Sequence, residues 1–332
     1  MKKNSIYKTT FWAAMGALFL NNPIMSQSNI GGYKGIFYAD AIHRMEASAQ
    51  VVGEGGNYYR IILKATPESD EQEGIQLELN GIGQNRQISI FGRMGGYPWQ
   101  GNIQEGNMNI QGGYGQRFEL QKMERQSPTE GMAPPENAVI LLPYTPDVAP
   151  DMSAWSNPNW AALDDGSMRI VPGTGSNRTI EQFGDIQHLH IEFKLPVESQ
   201  HLDQLRCNSG IILNETYEIQ VLDSYGVFQT SGDCGAIYNI ERPLINASFP
   251  PNTWQTYDIT FQAPEMDTNG EIVALPKITV LHNGVKIHDN LEIPYPTANR
   301  NAEHKSKGSI SLQHHDIGHN IQFRNIWLIE GE

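Results

Sequence analysis

The sequence contains little of what marks a membrane-spanning, helical or nucleic-acid-binding chain. Beyond the N-terminus there is no run of about 20 apolar residues, the length a helix needs to cross a bilayer. No segment of useful length repeats its apolar residues at the helical period, so helices are not the main building element. Positive charge is scarce: 23 Lys and Arg stand against 37 Asp and Glu, a formal net charge of −14. Such a surface repels phosphate backbones and anionic lipid, so no nucleic-acid partner is expected, and the lack of a long apolar run leaves no membrane span expected. Cysteine is almost absent. Cys207 and Cys234 are the two, and their spacing leaves open whether they pair.

Turn chemistry, by contrast, is abundant. With 32 glycines, 19 prolines and 39% hydrophobic residues, the chain reads as a turn-rich all-β protein, and 332 residues suffice for two domains. At the N-terminus, Lys2, Lys3 and Lys8 precede the short apolar run Phe11–Leu20 and a polar patch ending at Gln27. That layout predicts a secretory signal over residues 1–26, cleaved near Ser26, and export to the periplasm or the cell exterior. Its removal leaves 20 basic residues against 37 acidic ones.

Residues 30–124 alternate β-like runs with glycine-rich turns and predict a small all-β domain, with strands at 47–52, 58–63, 75–79, 87–91 and 116–120. Asn80-Gly81 predicts a hairpin turn between two of them, since both residues tolerate positive φ. Tyr97-Pro-Trp99 offers aromatics for stacking on a sugar or for plugging the core. Residues 125–137 carry three prolines and no apolar period, the pattern of an extended linker.

Residues 138–332 form the second predicted domain. Leu189, Ile191, Phe193 and Leu195 alternate with His188, His190, Glu192 and Lys194, one set inward and the other outward. Further strands are predicted at 254–261, 277–282, 285–288, 309–315 and 321–329, with a turn at Asn283-Gly284. Many strands without intervening helices argue for a sandwich of two antiparallel sheets. The apolar last strand is expected at its centre.

Period-two reading also locates a candidate site. In Tyr217–Ser224, Tyr217, Ile219 and Val221 point one way while Glu218 and Gln220 point the other; in Ser309–His315, Ile310 and Leu312 oppose Ser311, Gln313 and His315. If both strands lie in one sheet, an acid, two amides and an imidazole share a surface.

Seven ordered motifs then match one family. Cys207-Asn-Ser-Gly-Ile211, Tyr217–Ser224, Asp233-Cys-Gly-Ala-Ile-Tyr238, Trp254-Gln-Thr-Tyr257, Leu281-His-Asn-Gly-Val285, Leu312-Gln-His-His315 and Phe323-Arg-Asn-Ile326 resemble the 3-keto-disaccharide hydrolase family. This family is also described as 3-keto-glucoside 1,2-lyase or 3-keto-2-hydroxy-glucal hydratase. Ser127-Pro-Thr looks like the lead-in of its longer members. Cys207 stands where the family usually has glycine, and Leu312-Gln-His-His-Asp316 replaces its usual Leu-Gln-Asp-His-Gly. The resemblance implies a concanavalin A-like jelly roll and a carbohydrate substrate already oxidised at C3.

A 3-keto sugar has an acidified C2 hydrogen, so one base can remove it and the C1 substituent can leave by β-elimination. Adding water to the product completes a net hydrolysis. This chemistry needs a base, an acid and a group for the enolate oxygen. His315, Glu218 and Arg324 are the expected catalytic set: base, second proton carrier and positive fork. Gln220, Gln313 and Asn208 are expected to orient hydroxyls. Asp223 either binds substrate or caps a turn. Glu218 and Asp223 are the carboxyl pair available to an ordinary retaining glycosidase, but five residues along a regular strand puts them on opposite faces. No cofactor is expected; a divalent metal among His314–His319 stays open, although the spacing matches no metal signature. The rival functions are a non-catalytic carbohydrate-binding jelly roll and a conventional glycoside hydrolase.

Overall fold

The computed structural model describes residues 24–67, 74–198, 200–297, 300–315 and 319–331. The apolar core of the expected secretory signal therefore lies outside the described residues. Among those residues no helix is long and apolar enough to cross a membrane.

The first half is a closed eight-stranded barrel in which each strand pairs antiparallel with the next. Its strands are β1 (Gly31–Tyr38), β2 (Arg44–Gly53), β3 (Tyr58–Thr66), β4 (Ile75–Gln84), β5 (Gln87–Met94), β6 (Tyr97–Gln104), β7 (Asn107–Gln111) and β8 (Arg117–Lys122). β8 returns to pair with β1, which leaves no free sheet edge. Alternation fills the interior: Ile61, Leu63, Leu79, Ile88, Ile103, Ile110 and Phe118 are all buried. Trp99 is buried there too, while Tyr97 stays on the outside and shares a hydrogen bond with Tyr114.

One expected turn falls elsewhere. Asn80-Gly81 lies inside β4 instead of between strands, and the chain reverses at Asn85, whose φ is 58°. The reason is packing. Gly81 faces the barrel core, where an added Cβ would lie 2.7 Å from Ile88 and 2.8 Å from Ile61. The glycine makes room for those side chains and does not supply a turn.

The second half is a sandwich. Its larger sheet runs β10 (Ala161–Ala162), β11 (Met168–Arg169), β22 (Gln322–Glu330), β13 (Ile186–Lys194), β16 (Trp254–Gln262), β19 (Lys277–His282) and β20 (Val285–Glu292), with β9 (Val139–Leu142) also on β22. The smaller sheet runs β12 (Asn177–Arg178), β21 (Ser311–Leu312), β14 (Ser209–Leu213) and β15 (Tyr217–Val221). A short ribbon of β17 (Glu265–Met266) and β18 (Ile272–Ala274) stands apart. The core between the sheets holds Leu189, Ile191 and Phe193 with Tyr257, Ile259, Ile219, Val221 and Leu312. β22 is central, as its two apolar faces require. Asn283 (φ 52°) and Gly284 (φ 75°) make the expected tight turn between β19 and β20.

Two of the residues expected to face outward from β13 are not in solvent. His190 and Glu192 are fully buried, because the proline-rich segment 125–137 lies over them. Ser127 Oγ shares a hydrogen bond with Thr256 Oγ1 at 2.6 Å, Thr129 Oγ1 donates to Asp258 Oδ2 at 2.7 Å, and the Gly131 N–H donates to Glu192 Oε1 at 2.6 Å. The segment is a strap bonded to the sheet. The two cysteines are buried free thiols with separate partners: Cys207 Sγ donates to the Pro196 carbonyl, and Cys234 Sγ lies 3.2 Å from the Tyr257 hydroxyl.

Barrel and sandwich meet at the loop after β15. Arg206 Nη1 donates to the Gly53 carbonyl of the barrel at 2.8 Å, and its Nε sits 3.2 Å from Asp223 Oδ2, both side chains being nearly buried. Arg60 of the barrel donates to the Gly226 carbonyl, and Tyr225 enters the barrel's own apolar cluster. Gly226 has φ +70°, and an added Cβ there would lie 2.4 Å from Val52. Only glycine allows this approach.

Removing one partner of a buried ion pair strands the other. Arg206→Ala is expected to destabilise the chain by about 2–4 kcal/mol and to separate barrel from sandwich unfolding. Urea denaturation followed by tryptophan fluorescence checks this.

Candidate active site

The smaller sheet decides where the candidate residues lie. β14 runs between β21 and β15, pairing Ile212 with Glu218, Gly210 with Gln220, and Ile211 with both Ile219 and Leu312. The Gln313 N–H donates to the Gly210 carbonyl at 2.9 Å, so the register continues past Leu312. Gln313, Gly210 and Gln220 thus form one row across three strands. Adjacent strands are about 4.8 Å apart, so Gln313 and Gln220 flank a gap of two strand spacings whose floor is a residue with no side chain. Because Ile211, Ile219 and Leu312 face the core, this row faces away from it.

Glu218 fills the gap. A Cβ added to Gly210 would lie 2.2 Å from Glu218 Oε1, so the carboxyl leans over that glycine. Glu218 is only 4% exposed. Among the described residues no protein group donates a hydrogen bond to its carboxyl. Burial pushes its pKa from 4.5 up to about 7.

The amides around it are partly occupied. Gln220 Oε1 accepts from the Val221 N–H, and Gln220 Nε2 reaches Gln204 Oε1 at 3.3 Å and the Gly232 carbonyl at 3.3 Å. Asn208 Nδ2 donates to the Gln204 carbonyl at 2.7 Å and to its Oε1 at 3.2 Å. Two acceptors, Asn208 Oδ1 and Gln313 Oε1, are buried with no hydrogen-bond partner among the described residues. An unmet buried acceptor costs about 1–3 kcal/mol. A carboxyl and two amide oxygens that lack donors make a surface suited to a ligand rich in hydroxyl groups.

His315 follows Gln313 by two residues and is half-buried. Its neighbour His314 accepts a hydrogen bond from the Gly173 N–H on Nε2. His319 Nδ1 lies 2.5 Å from Glu198 Oε2. The two histidines at the ends of the metal expectation thus face different partners, while residues 316–318 lie outside the described residues.

Arg324 does not join Glu218. It projects from β22 on the outer face of the larger sheet, beside Glu192, whereas Glu218 is on the outer face of the smaller one; the core separates them. Arg324 Nε donates to Glu192 Oε2 at 2.6 Å, Nη2 to Glu130 Oε1 at 2.9 Å and Nη1 to the Tyr144 hydroxyl at 3.1 Å. The expectation that Arg324 faces the same groove as His315 and Glu218 therefore fails. Alternation shows which residues of one strand share a face, but not which sheet the strand enters.

Asp223 also turns away. It pairs with Arg206, and its Oδ1 accepts the Tyr225 N–H, the geometry of an Asx turn. Burial raises its pKa and Arg206 lowers it, with burial the stronger. It is not placed as a second carboxyl for Glu218.

Two features were missed in the sequence. Gly210 sits within the Asn-Ser-Gly motif, but spacing did not mark it as the floor under Glu218. Gln204 was not singled out, yet it joins Gln220 to Asn208. The strap side holds a further cluster: the donor atoms of His188, His190 and Asp258 all lie within 4.8 Å of one another, close enough to surround an ion. Asp258 Oδ1 already meets His188 Nε2 at 3.0 Å and His190 Nδ1 at 2.7 Å. His190 Nε2 also faces Glu192 Oε1 at 3.3 Å. Burial lowers the His190 pKa, but the two carboxylates outweigh it and raise it overall. A protonated imidazole fits between them.

Comparison with known proteins bears on the sandwich. The sequence profile of the family described as the 3-keto-alpha-glucoside-1,2-lyase-like domain matches residues 149–329. A solved structure described as a "putative glycosyl hydrolase" from Parabacteroides distasonis ATCC 8503 is 33% identical, with a TM-score of 0.54; the match covers 59% of this chain and 84% of that one. A second structure of the same description and organism is 16% identical with a TM-score of 0.39, over 55% and 90% of the two chains, too distant to carry an argument. No curated protein matches.

The buried carboxyl gives a test with a defined sign. Its folded pKa is raised, so its stability is full below the unfolded value of 4.5 and is lost as pH rises towards 7. That displacement corresponds to about 3 kcal/mol. Glu218→Gln should therefore gain about 3 kcal/mol over the native chain between pH 4 and pH 8, measured by urea denaturation. A pH-independent difference contradicts the assignment.

Proposed function

Because the chain belongs to the 3-keto-alpha-glucoside-1,2-lyase-like family, we propose that its sandwich cleaves 3-keto-glycosides by elimination and hydration. The observation that carries the reading is a buried carboxyl that, among the described residues, has no second carboxyl placed beside it. Glu218 stands among amides with its pKa near neutrality, and Asp223 is committed to Arg206. A retaining glycosidase needs two carboxyls about 5 Å apart. Removing a proton next to a ketone needs one base and one acid, each with a pKa near the working pH.

His315 takes the C2 proton, and the electron pair passes into the C2–C3 bond as the enolate forms. The enolate then re-forms the ketone, the C1–C2 double bond forms, and the bond from C1 to its oxygen breaks. Glu218, in its protonated form, gives that oxygen a proton, so the aglycone departs as an alcohol. Water added across C1 and C2 of the 3-keto-2-hydroxy-glucal puts a hydroxyl on C1 and a proton on C2, completing a net hydrolysis. Asn208 and Gln313 accept hydrogen bonds from sugar hydroxyls. Arg324 belongs to the opposite face and does not serve the enolate oxygen.

The test is incubation of the chain with a 3-keto-glucoside in D₂O while the C2 hydrogen is followed by NMR. The native chain should exchange that hydrogen and release the aglycone. Glu218→Gln and His315→Gln should each slow release by about 10²–10⁴-fold. The corresponding unoxidised glucoside should be left intact, and its rapid cleavage would overturn the proposal.

A further inference from the structure

The outer face of the larger sheet, across the core from Glu218, holds a second group of side chains that the proposed reaction does not use. His188 and His190 lie two residues apart on β13 and share a face, and Asp258 of β16 is the direct cross-strand partner of His190. The three side chains converge. Their donor atoms all lie within 4.8 Å of one another, with Asp258 Oδ1 at 3.0 Å from His188 Nε2 and 2.7 Å from His190 Nδ1. Ligand atoms bonded at about 2.0–2.1 Å around a tetrahedral zinc-sized ion stand about 3.3 Å apart. The carboxylate therefore has to yield by only about 0.3–0.6 Å to admit one.

Two further observations point to a cation. The first is charge. Asp258, Glu192 and Glu130 are mostly shielded acids in one connected network, and Arg324 is the arginine that pairs with Glu192 and Glu130. Lys194, on the same strand, has its own acid in Asp165 at 3.9 Å. Three acids against one arginine leave an excess of two negative charges. A protonated His190 offsets one of them, and a divalent ion offsets both. The second observation is the support behind His190. With Nδ1 turned to the centre, its Nε2 is left to donate to Glu192 Oε1 at 3.3 Å. That carboxylate is itself fixed by the Gly131 N–H at 2.6 Å, Asn325 Nδ2 at 2.8 Å and Arg324 Nε at 2.6 Å. A fixed carboxylate behind a histidine sets the tautomer and the ring orientation, as it does behind metal-binding imidazoles. Trp327 stacks on the same ring, with centroids 5.2 Å apart.

We infer that His188, His190 and Asp258 bind a divalent cation of the zinc class, and that the ion fastens the strap at 127–132 to the larger sheet. Two imidazoles and one carboxylate suit zinc and its neighbours, whereas calcium and magnesium prefer oxygen ligands throughout. The His188 side chain is 32% exposed, which leaves a fourth position open to water. Thr129 of the strap donates to Asp258 Oδ2 at 2.7 Å, and Gly131 holds the glutamate that orients His190. Site and strap thus order each other. The ion lies on the opposite face from Glu218 and takes no part in the proposed cleavage.

The experiment strips the untagged chain with EDTA, dialyses it and titrates it calorimetrically with zinc chloride. One ion should bind per chain. Cobalt(II) in its place should give the visible absorption of a four-coordinate nitrogen and oxygen site, a readout that needs no variant. His188→Gln, at a partly exposed position, should weaken zinc binding at least tenfold, and Thr129→Val, which only positions Asp258, about tenfold. His314→Gln, in the other histidine-rich segment, should leave binding unchanged. Bound zinc should also slow proteolytic cleavage within residues 125–137 several-fold in the native chain and not in His188→Gln. Absence of saturable binding, or a loss in His314→Gln with none in His188→Gln, overturns the site. Cleavage that zinc does not slow overturns its role on the strap.

Discussion

The carboxyl of Glu218 lies in space left by Gly210, out of water and without a donor among the described residues, and the rest of the site follows from that placement. A strand pair normally covers each residue with the side chain opposite or diagonal to it. Here the middle strand offers no side chain in the row shared by Gln313 and Gln220, so a longer acid from the next row leans into the gap. The carboxyl is held near half-ionisation by burial alone, the condition that favours proton transfer at neutral pH. On the proposed function, a ligand carrying hydroxyl groups would complete this surface.

The opposite face of the sandwich shows what the same fold does with charge that serves structure. There Glu192, Glu130, Arg324, His190 and Asp258 are also shielded, but each has charged or hydrogen-bonding partners. Burial pushes Glu192 up, yet the bonds from His190, Asn325 and Arg324 outweigh it and hold it below the ordinary glutamate value. The network is clamped beneath the strap at 127–132, which fastens the chain between barrel and sandwich to the larger sheet. Two buried glutamates thus diverge for a physical reason. Glu192 is neutralised by its partners, and Glu218 has only desolvation.

Much of this was legible in the alternation of side chains. Leu189, Ile191 and Phe193 identified the core face of β13, Asn283-Gly284 marked the turn between β19 and β20, and the apolar last strand lies at the centre as its composition required. Glu218, Gln220 and Gln313 share one surface because their strands belong to one sheet, while β21 ends at Leu312 and does not carry the expected alternation on to His315. Alternation does not reveal which sheet β22 joins, so it could not separate Arg324 from Glu218 in the expected catalytic set. It could not show that a proline-rich segment covers His190 and Glu192, since outward is a direction and burial depends on what lies above. Asn80-Gly81 resembled a turn because a glycine facing a tight core carries the same letter as one with positive φ. The meeting of the barrel with the loop after β15 depends on contacts between distant segments, which local patterns do not encode.

The account stands on the ionisation of one side chain. The most direct measurement is the ¹³C NMR titration of glutamate-labelled protein, with the Glu218 carboxyl resonance identified by its loss in Glu218→Gln. A midpoint near 7 is expected. A midpoint near the ordinary 4.5 would contradict the account, because a fully ionised Glu218 could not act as the acid at neutral pH.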